Sequence, residues 1–106
     1  MAELTVVFWR DIPAQVIVKV GRRSAKRPLS ERFQEAIDRA AMHAGLYDTD
    51  AYLGEWRRVA AGDCSDELEA EVERAAARLE ADYPAERLRD LAANGGLEPE
   101  SERSHA

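Results

Sequence analysis

The chain has 106 residues, a formal net charge of −6, one cysteine and two histidines, which is one domain's worth of sequence and enough for a modest core. Cys64 has no second cysteine to bond, and with His43 and His105 it makes no structural zinc set, so no metal and no cofactor is expected. The charge runs +4 over residues 1–30, −2 over 31–62 and −8 over 63–106, a balance that disfavours general nucleic-acid binding because duplex affinity depends on neutralising many phosphates.

The first predicted element is a strand over Leu4–Trp9, where β-branched and aromatic residues alternate. Leu4, Val6 and Phe8 would line one face, and Thr5, Val7 and Trp9 the other. A second strand follows over Gln15–Val20, with Val16, Val18 and Val20 on one face. Pro13 cannot donate a ladder hydrogen bond, so residues 10–14 are read as the hairpin connection. Gly21 ends the second strand. Residues 22–29, polar and cationic, read as a loop.

Ser30 is a good helix N-cap, and Phe33, Ala36, Ile37, Ala40, Ala41 and Ala44 recur at helical spacing until Gly45 stops the run. Residues 50–59 fit a helical stripe or a strand. The strand is preferred, because a two-stranded hairpin is marginal alone and a third strand gives the helices a face to cover. Asp63 or Ser65 then caps a helix whose buried stripe is Leu68, Val72, Ala75, Ala76, Leu79 and Tyr83. Pro84 starts a last short helix with Leu88, Leu91 and Ala92 inward, and Asn94-Gly95-Gly96 ends it. The order is β-β-α-β-α-α. It describes an α+β domain over 1–94, a small, mostly antiparallel three-stranded sheet with helices on one face. Residues 95–106 carry too little apolar content to fold and read as a disordered tail. No run approaches the ~20 apolar residues of a membrane span, and the N-terminus lacks the pattern of a secretory signal, so a cytoplasmic protein is expected.

Three strings are unusual in residue identity: Trp9 to Lys19 (WRDIPAQVIVK), Arg32 to Gly45 (RFQEAIDRAAMHAG) and Asp48 to Arg58 (DTDAYLGEWRR). Together they resemble the small bacterial virulence factor domain family, whose domain also forms part of a larger protein, conserved virulence factor C. The resemblance covers roughly residues 3–93. It attaches no reaction to any residue. What it implies is gene company: stand-alone members look like companions of folate-dependent one-carbon enzymes.

Candidate site residues fall into two groups. Trp9, Arg10, Asp11, Pro13 and Gln15 around the hairpin, with Trp56, Arg57 and Arg58 farther on, combine aromatic and arginine side chains of the kind enriched at protein interfaces. Against this, Asp11 is a standard turn residue, Arg10 would cover Trp9, and Tyr52 and Trp56 would serve a small core. Lys19, Arg22, Arg23, Lys26 and Arg27 lead into Ser30 at a helix N-terminus, a setting for an anion such as a phosphate or a polyglutamate chain. A solvated basic loop, or pairing with the acidic back half, explains the same run. His43 has no evident catalytic partner. Cys64 stands among carboxylates that oppose a reactive thiolate, so no residue is assigned a catalytic role. The leading expectation is a small non-enzymatic interaction protein with a cytoplasmic protein partner, a one-carbon enzyme being the first candidate. The alternative is a small-anion or nucleotide-like ligand module built on residues 19–27. A homodimer by strand addition is open to an exposed sheet edge.

Overall fold

The computed structural model describes residues 1–46 and 50–98. Its elements are β1 (Ala2–Trp9), β2 (Ile12–Val20), β3 (Arg23–Pro28), α1 (Glu31–His43), α2 (Asp50–Gly54), β4 (Trp56–Cys64), α3 (Leu68–Asp82) and α4 (Ala85–Ala93). The four strands form one sheet in the order β3-β2-β1-β4, every neighbouring pair antiparallel. The architecture is α+β as expected, with four strands where three were expected.

The extra strand is β3. Its sequence, Arg-Ser-Ala-Lys-Arg-Pro, reads as a loop because only Ala25 is buried. An edge strand needs little more: charges and a terminal proline blunt its free side. Gly21, at φ 57, and Arg22 make the turn, and Val20 pairs with Arg23.

Pro13 corrects the hairpin. It lies inside β2 opposite Phe8, while Val7 pairs with Gln15, so Ala14 is an extra residue without a partner on β1. Such a bulge tolerates a proline that a regular ladder would reject. The connection shrinks from residues 10–14 to Arg10 and Asp11.

Residues 50–59 are split. Asp50–Gly54 forms one short helix, and the strand starts at Trp56 and runs on to Cys64. Its second half escaped the sequence pattern because Ala60-Ala61-Gly62 has no alternation. Thr5 pairs with Ala60 and Glu3 with Asp63, leaving Leu4 opposite both Ala61 and Gly62, where Gly62 takes φ 102.

The helices follow their stripes. α1 buries Phe33, Ala36, Ile37, Ala40 and Ala41. It closes with Gly45 at φ 72, the Gly45 N–H donating to Met42 O at 3.1 Å and the Leu46 N–H to Ala41 O at 2.9 Å. That is the 5→2 and 6→1 pair of a Schellman stop. α3 starts at Leu68 with Glu67 at the cap, so neither Asp63 nor Ser65 caps it directly. Ser65 acts one step back: its Oγ accepts from Glu67 N at 3.3 Å, and its own N–H donates to Glu71 Oε2 at 2.7 Å. α4 turns Leu88, Leu91 and Ala92 inward.

α3 packs on β2 and β3, and α1 packs on β2 and α4. One core joins Val16, Val18 and Ala25 to Phe33, Ile37, Val72 and Leu91. Leu4, opposite Val18, packs against it. The residues of opposite parity, Thr5, Val7, Gln15, Ile17, Lys19 and Lys26, therefore form a sheet face turned away from the helices. Among the described residues, no helix is long and apolar enough to cross a membrane.

Candidate functional site

The hairpin tip is the first place to look, because Arg10 takes φ 53, the one non-glycine positive φ among the described residues. A left-handed L-residue costs roughly 1–2 kcal/mol, so its surroundings must hold it there. They do so through its backbone and both terminal guanidinium nitrogens. The Arg10 N–H donates to Glu55 O at 3.2 Å, and Nη1 donates to Gly95 O at 3.0 Å. Nη2 reaches Glu55 Oε1 at 3.4 Å, and the guanidinium lies 5.3 Å from the Trp9 ring centroid.

Asp11 ties the same elements together. Its N–H donates to Gly96 O at 2.8 Å. Its Oδ2 accepts from the Glu98 N–H at 2.7 Å, and its Oδ1 accepts from Arg57 Nη2 at 3.2 Å. Arg57 Nε in turn donates to Arg10 O at 3.1 Å. The tip thus clamps the start of β4 to the segment that follows α4. Residues 95–98 are part of that packing. The remainder of the expected tail, from residue 99, lies outside the described residues, as does Asp48.

Trp9 sits beneath the clamp. It is fully buried, its Nε1 donates to Tyr52 O at 2.9 Å, and its ring centroid is 5.5 Å from that of Tyr52. Tyr52 meets Trp56 edge-on at 6.2 Å. Gly96 is needed for this approach: a Cβ there would stand 2.8 Å from Trp9 Cζ3. The structure therefore places Trp9 and Pro13 in the interior and uses Arg10 and Asp11 as a clamp.

The other candidates come together elsewhere. Gln15, Trp56, Arg57 and Arg58 line a recess of about 390 Å³ with Val7. Gln15, Val7 and Arg58 occupy one row across β2, β1 and β4, since Val7 pairs with both. The row lies on the helix-free face. Phe8, next along β1, is covered by the Arg57 guanidinium at 5.0 Å. The recess offers the Val7 side chain, an indole, one amide and the Arg58 guanidinium, the Arg57 guanidinium being already held by Asp11 and Arg10 O. That set suits a polypeptide segment that presents a carboxylate beside an apolar side chain.

A family model described as Virulence factor matches residues 7–92. The chain belongs to the virulence factor family. No curated protein and no solved structure matches it. The span shared with the virulence factor family begins at Val7, on the recess, and takes in the hairpin tip and all of β4.

The cation run of this virulence factor chain does not gather at one point. Lys19 and Lys26 lie on the helix-free face. Arg27 pairs with Glu73 of α3 at 3.5 Å. Arg22, Arg23 and Ser24 line a recess of about 560 Å³ together with Asp66, Glu67 and Glu69, so acidic groups face the cations there. Ser30 holds the N-cap position of α1, but its N–H and Oγ donate to Glu80 at 2.7 and 2.8 Å.

Cys64 is half-buried at the end of β4. Burial and then the Glu71, Asp63 and Asp66 carboxylates push its thiol above the ordinary value. The residues that sequence reasoning missed are Val7, Glu55, Gly95, Gly96 and Glu98. Only the Gly95-Gly96 pair carried a signal, and it reads equally as a helix stop.

Proposed function

We propose that the chain is a small interaction protein that docks a cytoplasmic protein partner on the helix-free face around Val7, Gln15, Trp56 and Arg58. One observation supports the reading most. The half-buried Gln15 and Trp56 and the exposed Arg57 and Arg58 converge on one recess in the sheet, while the buried Trp9 and Pro13 lie in the strands that carry it. Trp and Arg are among the side chains that most often dominate binding energy once a partner desolvates them. The virulence factor resemblance makes a folate-dependent one-carbon enzyme the first partner to try.

The test is affinity capture with the wild-type chain, Gln15→Ala and Trp56→Ala, each checked for an unchanged fold by circular dichroism. A stoichiometric partner held by the wild type and lost by both variants is expected. The same partner held equally by all three would place the contact elsewhere.

A further inference from the structure

The two edges of the sheet differ in a way that points to a partner for one of them. β3 carries Arg23, Lys26, Arg27 and Pro28. Antiparallel pairing of β3 with its own copy in a face-matched register sets cation against cation, Arg23 opposite Arg27 when centred on Ala25 and Lys26 opposite itself when centred on Lys26, which is unfavourable. β4 carries Arg57 and Arg58 at one end, Asp63 at the other, and the uncharged residues Val59, Ala60, Ala61 and Gly62 between them. Residues 57, 58 and 60–63 are all exposed. Arg58 and Asp63 make no ion pair among the described residues.

The charge order of β4 is self-complementary when a second copy runs antiparallel. The bulge decides whether the faces also agree. Counting Ala61 and Gly62 as one position, as the pairing with Leu4 requires, a two-fold axis through Ala60 sets Ala60 opposite Ala60. Val59 then falls opposite the Ala61–Gly62 bulge, Arg58 opposite Asp63, and Arg57 opposite Cys64. Strand partners must share a face. Arg58, Ala60 and Asp63 do, because their β1 partners Val7, Thr5 and Glu3 lie on the helix-free face. Val59 and Cys64 lie on the other, opposite Val6 and Ala2. The register is therefore consistent in face and charge over the length of the strand.

We propose that the protein forms a two-fold dimer by antiparallel β4–β4 pairing, with a continuous eight-stranded sheet and two Arg58–Asp63 pairs across the axis. Such an isologous contact closes on itself and leaves only the charged β3 edges at the ends. It brings the two recesses onto one continuous face, and it stands whether or not those recesses dock another protein.

Sedimentation equilibrium of the full chain over a concentration series tests it. The wild type is expected to approach the mass of two chains and to dissociate on dilution. Arg58→Asp alone, or Asp63→Arg alone, sets like charges opposite at both ends and is expected to weaken the dimer about tenfold or more. The double exchange, Arg58→Asp with Asp63→Arg, restores the pairs in reverse and should return the dimer to near its wild-type strength. Ala60→Lys, at an exposed site on the axis, should dissociate it. A wild-type chain that stays single at every concentration overturns the proposal. A dimer indifferent to both single exchanges overturns it equally.

Discussion

Gly96→Ala is the sharpest probe of how the hairpin tip is seated. Two costs are added at this position. Gly96 has φ 89, a conformation that costs an L-residue roughly 1–2 kcal/mol. The new Cβ would also stand 2.8 Å from Trp9 Cζ3, 3.2 Å from Cε3 and 3.3 Å from Ala40 Cβ. Neither neighbour is the free end of a long side chain. Trp9 is fully buried and held by its bond to Tyr52 O, so the ring cannot swing away without breaking it. Overpacking of this kind costs roughly 1–3 kcal/mol. The sum is about 2–5 kcal/mol. Gly21→Ala is the control: its φ is 57 and nothing lies within 4 Å, so it carries the backbone cost alone, about 1–2 kcal/mol. Urea unfolding followed by tryptophan fluorescence measures both. With a slope of about 1–3 kcal/mol per molar, Gly96→Ala should lower the midpoint clearly more than Gly21→Ala. Equal midpoints for the two variants would refute the close seating of Gly96 on Trp9.

Trp9→Ala should cost roughly 3–5 kcal/mol in the same assay, as a large core aromatic does, and so behave as an anchor of the fold. Glu71 gives a pH test. The Ser65 N–H and the Arg74 guanidinium hold its carboxyl down at about 2 against an ordinary 4.5. A lowered folded value means stability that is full above about 4.5 and lost as pH falls toward 2. Glu71→Gln should therefore flatten the acid limb of the unfolding curve in that window while leaving neutral pH behaviour otherwise parallel. Cys64, with its thiol pushed up by burial and by Glu71, should alkylate more slowly at pH 8 than a free thiol, and Glu71→Gln should speed it.

The three longer helices were legible because their signals are local, whereas the short helix Asp50–Gly54 lay in a segment read as a strand. The spacing of Phe33, Ala36, Ile37 and Ala40 and the stop at Gly45 need nothing beyond the segment itself. The sheet was legible only where residues alternate. β3 hid because an edge strand with one buried residue looks like a loop, and the second half of β4 hid because Ala60-Ala61-Gly62 spans a bulge. Pro13 misled for a physical reason too: a proline rules out a regular ladder but not the residue beside a bulge. At the site, residue types pointed to the right neighbourhood and could not sort it. Trp9 and Trp56 look alike in sequence. Only the fold shows that Trp9 is wedged between Tyr52 and Gly96 while Trp56, half-buried against the same core, also lines the recess with Gln15 and Arg58. The partners of Arg10 and Asp11 come from Glu55, Gly95 and Glu98, up to 87 positions away, a distance that no local pattern reports.

The most direct measurement is capture of a partner by the intact chain and by Gln15→Ala, beside Arg22→Ala combined with Arg23→Ala. If the helix-free recess is the docking site, Gln15→Ala releases the partner, while the paired change at the β2–β3 turn retains it. Retention by Gln15→Ala with release by the paired change would contradict the assignment and move the function to the basic run.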